Sequence, residues 1–130
     1  AVADDLVVHY SAKPAEVFTC VFLDNRHGLI AAEDLVFGTI DGASVHPREI
    51  VRRSLEVNAA AVILAHNHPS GDPQPSPEDT ALTQKLINAC QVVDVTVHDH
   101  IIIGRGTYFS YADSGKIAAM VTDAAHAPMG

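Results

Sequence analysis

Three side chains near the middle of the chain have the types and spacing to hold a metal ion. His66 and His68 stand two apart at the end of the apolar run Ala59-Ala60-Ala61-Val62-Ile63-Leu64-Ala65. That run is too short to cross a membrane and suits a buried strand. Residues two apart on a strand share a face, so both imidazoles project together. A proline-punctuated loop then leads to Ser76-Pro77-Glu78-Asp79, which reads as a helix start. Ser76 suits the N-cap, Pro77 the first helical position, and Asp79 an acidic N3 place close to a capping box. Two imidazoles and a first-turn carboxylate can supply three ligands to zinc. The fourth position is left for water, as a catalytic zinc site requires. Each half alone has a plainer explanation, as polar residues leaving a strand or as an ordinary helix cap. Their combination is what points to a metal.

The chain that must position these groups has 130 residues, the length of one ordinary domain. Eight Lys and Arg against sixteen Asp and Glu give a net charge of −8. This balance argues against strong nucleic-acid binding, which usually needs a basic face. Arg48, Arg52 and Arg53 form the only close basic cluster, and a solvated helix face accounts for them more simply than a phosphate patch. Cys20 and Cys90 lie in apolar surroundings without a CxxC pattern, so buried free thiols in a reducing compartment are expected. With no signal peptide and no apolar span of membrane length, the expectation is a cytoplasmic protein without a membrane partner.

The elements follow from pattern. Residues 1–13 show no clear period and read as an N-terminal linker or an extra strand. Ala15 to Asp24 is apolar on both faces, a buried strand; Asp24 to Gly28 is a turn, and Leu29 to Phe37 returns, with Glu33 and Asp34 marking a bulge or bend. His46 to Asn58 predicts a helix with Ile50, Val51, Ser54, Leu55 and Asn58 as its buried stripe and a Glu49–Arg53 pair outside. A second helix is expected from Ser76 to about Gln91, with Leu82, Leu86, Ala89 and Cys90 inward. Val92 to Ile103 reads as one long strand, with Val93, Val95 and Val97 alternating with Asp94, Thr96 and His98. Gly104-Arg105-Gly106 is a hairpin turn into Thr107 to Tyr111, because it lacks the rest of a dinucleotide fingerprint. Lys116 to Thr122 is a possible last helix before a tail. Taken alone, the pattern gives a mixed α/β domain.

At the same residues the chain resembles a known family. His66-x-His68, seven residues beginning with Pro69, then Ser76-x-x-Asp79 is similar to the JAMM motif of MPN/JAB-domain metallopeptidases. The nearer resemblance is to the RadC-like branch. It is carried by Val45-His46-Pro47-Arg48-Glu49, by Leu55-x-x-Asn58-Ala59-Ala60-Ala61 running into His66-Asn67-His68-Pro69-Ser70-Gly71, and by Asp99-His100-x-Ile102-Ile103-Gly104. The resemblance covers residues 14–117 and leaves 118–130 as a C-terminal tail. It implies an MPN/JAB-type curved mixed β-sheet flanked by helices. It also implies a Zn2+ hydrolase of peptide or isopeptide bonds, with zinc on His66, His68 and Asp79 and a zinc-bound water attacking a polarised carbonyl.

The family takes its general base from a glutamate opening the first core strand after a proline, which here is Glu16 in Pro14-Ala15-Glu16-Val17-Phe18. Glu33 ranks second, while the helix dipole already explains Glu49. The motif serine, Ser76, implies an oxyanion donor, although its capping role is equally expected. His98-Asp99-His100 repeats the His-x-His pattern without a carboxylate in a following helix start. One of its residues is expected to brace a ligating imidazole, with Asp99 a candidate acceptor. Asp72 and Gln74 fit substrate contact or simple loop solvation. The alternative function is a DNA-repair-associated accessory or scaffold domain whose metal site does not turn over. Longer relatives of this branch carry an N-terminal helix-hairpin-helix region that is missing here.

Overall fold

A computed structural model describes residues 2–10, 16–37 and 45–125. The elements run α1 (Val2–Tyr10), β1 (Val17–Leu23), β2 (Leu29–Phe37), α2 (Pro47–Glu56), β3 (Ala61–Asn67), α3 (Pro77–Val92), β4 (Thr96–Ile103), β5 (Tyr108–Ser110) and α4 (Lys116–Ala125). They build one five-stranded mixed sheet of order β2-β1-β3-β4-β5 flanked by helices, in keeping with the expected MPN/JAB architecture. Only β3 and β4 are parallel, and α3 is the crossover that parallel neighbours require. No helix among the described residues is long and apolar enough to cross a membrane.

The apolar character of β1 on both faces matches its central place. One face joins Phe18, Cys20 and Phe22 to Val62 and Leu64 of β3 and to Leu82, Leu86 and Cys90 of α3. The other brings Val17, Ala65, Ile101 and Ile103 against Leu6 and Tyr10 of α1. Cys20 and Cys90 are both free and buried.

Several expectations need correction. Residues 2–10 form a helix and not a linker or strand, because Leu6 and Tyr10, one turn apart, cover the second sheet face. Tyr10 adds hydrogen bonds to Thr19 and to the Ala65 carbonyl. The possible last helix over Lys116 to Thr122 is present and runs on as α4 to Ala125, so the tail expected from 118 does not begin there, and Met120 is buried in the main core. In α2, Leu55 is 56% exposed and the buried residues are Ile50 and Ser54. Arg53 pairs with Glu33 and Glu56, while Glu49 binds Arg52. The expected Ala15 strand start and the tail beyond residue 125 lie outside the described residues.

The long strand expected from Val92 begins only at Thr96. Val92 closes α3, and Asp94 takes a left-handed φ of 59°. The Val95 N–H then reaches back to the Cys90 carbonyl and the Asp94 N–H to Gln91, which closes the helix by a Schellman pattern. Asn58, with φ 57°, ends α2 in the same way. The simple alternation also breaks inside β4. Val97 pairs with Val62 but Asp99 with Ile63, so His98 is an extra, bulged residue. A one-residue slip exchanges the faces. Val97 points toward α3 before the bulge, and His100 and Ile102 point there after it.

The metal-loop candidate is clamped to the β4–β5 turn. The His68 N–H donates to the Ile103 carbonyl at 2.8 Å and the Arg105 N–H to the Gly71 carbonyl at 2.9 Å. A Cβ at Gly104 would stand 2.4 Å from the Gly71 oxygen and 2.9 Å from Pro73 Cδ. Gly104→Ala is therefore expected to destabilise the fold by about 1–3 kcal/mol, as overpacking typically does. Urea unfolding checks this; a loss below about 0.3 kcal/mol would mean that loop and turn separate freely.

Candidate metal centre

Strand β3 delivers its last side chains to the N-terminus of α3. His66 is buried at 2% exposure and His68 is half-buried. His66 Nε2 lies 3.2 Å from Asp79 Oδ1, and His68 Nε2 lies 3.1 Å from Asp79 Oδ2. The two Nε2 atoms are 3.2 Å apart. A zinc ion with ligands at about 2.0–2.1 Å in tetrahedral array separates them by about 3.3 Å, so this donor set fits that ion's shape and chemistry.

Asp79 is held there by its helix. Its Oδ2 accepts from the Ser76 N–H at 2.8 Å, and its own N–H donates to Ser76 Oγ at 3.1 Å, completing the capping box. Each histidine is held from its far nitrogen. His68 Nδ1 donates to the Asp72 carbonyl at 2.9 Å, which leaves Nε2 facing the centre. His66 Nδ1 lies 2.9 Å from His100 Nε2.

The hydrogen bond to Asp79 raises the His68 pKa, opposed by burial and helped by the Asp72 carbonyl and by the charge of Glu16. Burial alone would raise the Asp79 carboxyl. The close approach of His66 and His68 and the hydrogen bond from the Ser76 N–H overcome this and hold it well below the usual carboxylate range. His100, fully buried, has its pKa pushed well down by desolvation and by its histidine neighbours.

Glu16 stands immediately before β1 and is half-buried. In the β1–β3 ladder Phe18 pairs with His66, so continuing the register by two residues sets Glu16 opposite His68. Its influence on the His68 pKa places it within electrostatic reach of the site. The Val17 N–H beside it is anchored on Asn67 Oδ1 at 2.7 Å. Glu33 is instead engaged by Arg53 at 2.6 Å across α2, and Glu49 by Arg52 at 2.9 Å. Asp99 does not accept from a ligating imidazole; it binds Ser110 Oγ at 2.6 Å and the Ala112 N–H. His98 lies against His27. Asp72 Oδ1 caps the Gln74 N–H, a loop contact. Sequence reasoning missed Thr83, Asn67 and Tyr111, whose types carry no metal signal. Thr83 and Tyr111 sit at helical and strand-end positions that only the tertiary fold brings to His100.

The model of the RadC-like JAB domain matches residues 1–116. A UPF0758 protein of Nitrosococcus oceani is 58% identical over 112 residues, 86% of this chain and 50% of its own. A UPF0758 protein of Xylella fastidiosa is 57% identical over 104 residues, 80% of this chain and 46% of its own. One from Thioalkalivibrio sulfidiphilus is 59% identical with the same coverage. The chain thus spans about half the length of the curated relatives it matches.

The metal-free pair should leave a pH signature. Asp79, depressed, contributes stability that is present above its ordinary 3.8 and fades as pH falls through its lower native range. His68, raised, contributes stability that is present below its ordinary 6.5 and fades as pH rises through its native value. In chelator-treated protein, the stability lost in His68→Gln is therefore expected to be largest between about pH 3.8 and 6.5 and to shrink above. Thermal melts across pH 4 to 8 read this, and a loss that grows toward pH 8 would contradict it.

Proposed function

The chain belongs to the RadC-like JAB domain family, and from that premise we propose that it is a zinc-dependent hydrolase of peptide or isopeptide bonds. The convergence of His66, His68 and Asp79 at tetrahedral-edge separations carries this reading. Zinc held there would act as a Lewis acid toward a carbonyl and lower the pKa of water. The remaining work falls to the chain. Glu16, opposite His68, takes a proton from the attacking water and returns it to the departing amine. The Ser76 hydroxyl accepts from the Asp79 N–H, so its own proton is available to a developing oxyanion. Asn67 steadies the strand start that carries Glu16. The free, buried thiols support a reducing, cytoplasmic setting.

Glu16→Gln is expected to keep zinc and fold while losing about a hundredfold to ten-thousandfold in hydrolysis of a peptide library or isopeptide-linked conjugates. His68→Ala should lose metal and activity together. Metal content is measured on the same samples. Full activity in Glu16→Gln would remove the base from this position, and activity surviving metal removal would end the zinc reading.

The accessory or scaffold reading is less supported by the charges. Two of the three clustered arginines are taken up by carboxylates, Arg52 by Glu49 and Glu56 and Arg53 by Glu33 and Glu56. Weak duplex DNA binding at physiological salt is accordingly expected of this domain. Submicromolar, salt-sensitive binding abolished by replacing Arg48, Arg52 and Arg53 would favour the scaffold reading.

A further inference from the structure

We propose that His100 is a positioning residue that keeps the proton of His66 on Nδ1 and so reserves the His66 Nε2 lone pair for the metal. The proposal rests on the metal-site reading above and deepens it.

The assignment follows from placing protons one after another. Thr83 Oγ1 lies 2.7 Å from the Asp79 carbonyl, which can only accept, so the threonine hydroxyl donates there. Its single proton spent, the hydroxyl can only accept from His100 Nδ1, 2.5 Å away. His100 therefore carries hydrogen on Nδ1. It has no exposed surface, and Asp99 Oδ1 accepts only from its backbone N–H, so among the described residues no carboxylate hydrogen-bonds the ring; the neutral ring is favoured and its Nε2 is bare. Across 2.9 Å, His66 Nδ1 must then be the donor. The His66 Nε2 that remains points at His68 and Asp79.

The rings have little freedom to escape this order. Phe18 stacks on His66 with centroids 6.2 Å apart and meets His100 edge-on at 5.9 Å. Tyr111 stacks on the other ring, His100, at 5.4 Å, and its hydroxyl is tied to Thr80 at 3.0 Å. Thr83 sits one helical turn after Asp79, so the relay returns to the backbone of the residue that supplies the carboxylate. Strand β3, strand β4 and helix α3 are thus joined through a chain of hydrogen bonds, from His66 Nδ1 through His100 and Thr83 to the Asp79 carbonyl, whose polarity is set by one threonine.

Two measurements test this. Long-range 1H–15N spectra of the imidazoles, taken on the unmodified protein, are expected to show both His66 and His100 protonated on Nδ1. Zinc affinity is then measured by chelator competition in the parent, His100→Phe, Thr83→Val and the double variant, with circular dichroism as the check on folding. His100→Phe is expected to lose about 10- to 100-fold in affinity, as outer partners of ligating histidines typically cost. Thr83→Val should weaken binding in the same direction, and the double variant should be no weaker than His100→Phe, because the two residues act in one relay. Unchanged affinity in a folded His100→Phe, additive losses, or a His66 proton on Nε2 would each overturn the proposal. Should His100→Phe fail to fold, Thr83→Val and the parent spectrum decide. A parent that binds no zinc sinks the metal reading, while the tautomer spectrum still judges His100.

Discussion

One carboxylate joins the helical layer to the sheet at the place where chemistry is proposed. Asp79 accepts from the Ser76 N–H of its own helix start, and its oxygens face His66 Nε2 and His68 Nε2 at the end of β3. Its position is not adjustable, because N3 of a capped helix is fixed relative to the cap, and Pro77 fixes where the helix begins. The crossover from β3 to β4 must then be long enough to return α3 to the same sheet end. The loop His68 to Pro75 is shaped by that need and clamped by the β4–β5 turn, which explains why Gly104 has backbone within 2.4 Å of where a Cβ would stand.

The polar groups behind this carboxylate are buried inside an apolar core, where an unpaired donor or acceptor is costly. His66, His100 and Thr83 sit among Phe18, Tyr111, Ile102 and Leu86 at 0 to 2% exposure. Such a network stays in place only when its members satisfy one another, and here each ring nitrogen of His100 and the Thr83 hydroxyl has a partner. The same burial makes the network rigid. A ligating imidazole stacked on Phe18 and tied to His100 has little rotamer freedom to lose when a cation arrives.

The donor triplet was legible in the sequence because it combines two independent local rules. Period-two alternation puts His66 and His68 on one face, and cap chemistry puts Asp79 in the first helical turn. That one residue of His98-Asp99-His100 braces a ligating imidazole was legible, but that it is His100 and not Asp99 was not, since its orientation depends on the bulge at His98. Unbroken alternation would have turned it away from the side that Val97 faces. The end of α3 was misread for a related reason: Val92, Val93 and Val95 look like a strand, but a left-handed Asp94 closes the helix among them. Among the described side chains of helix α1, Leu6 and Tyr10 are the buried anchors, too few to reveal a period, and the helix needs the sheet face to declare itself. The fold class survived these errors because it rests on the order of elements and not on their ends.

The charge arrangement around the triplet bears on what the site is for. Among the described residues, no lysine or arginine hydrogen-bonds Asp79; its partners are two histidines and a helix N–H. Glu16 adds a second negative charge nearby, which also favours a proton on His68. Without a metal that proton answers the carboxylate, helped by the partial charge of the α3 N-terminus. A divalent cation answers both acids at once and must displace the proton to do so, since a ligating imidazole gives its lone pair. Proton and cation therefore compete for one place. Burial of His66 and the raised His68 pKa are then two aspects of one design, in which three donors converge with their other hydrogen bonds already fixed.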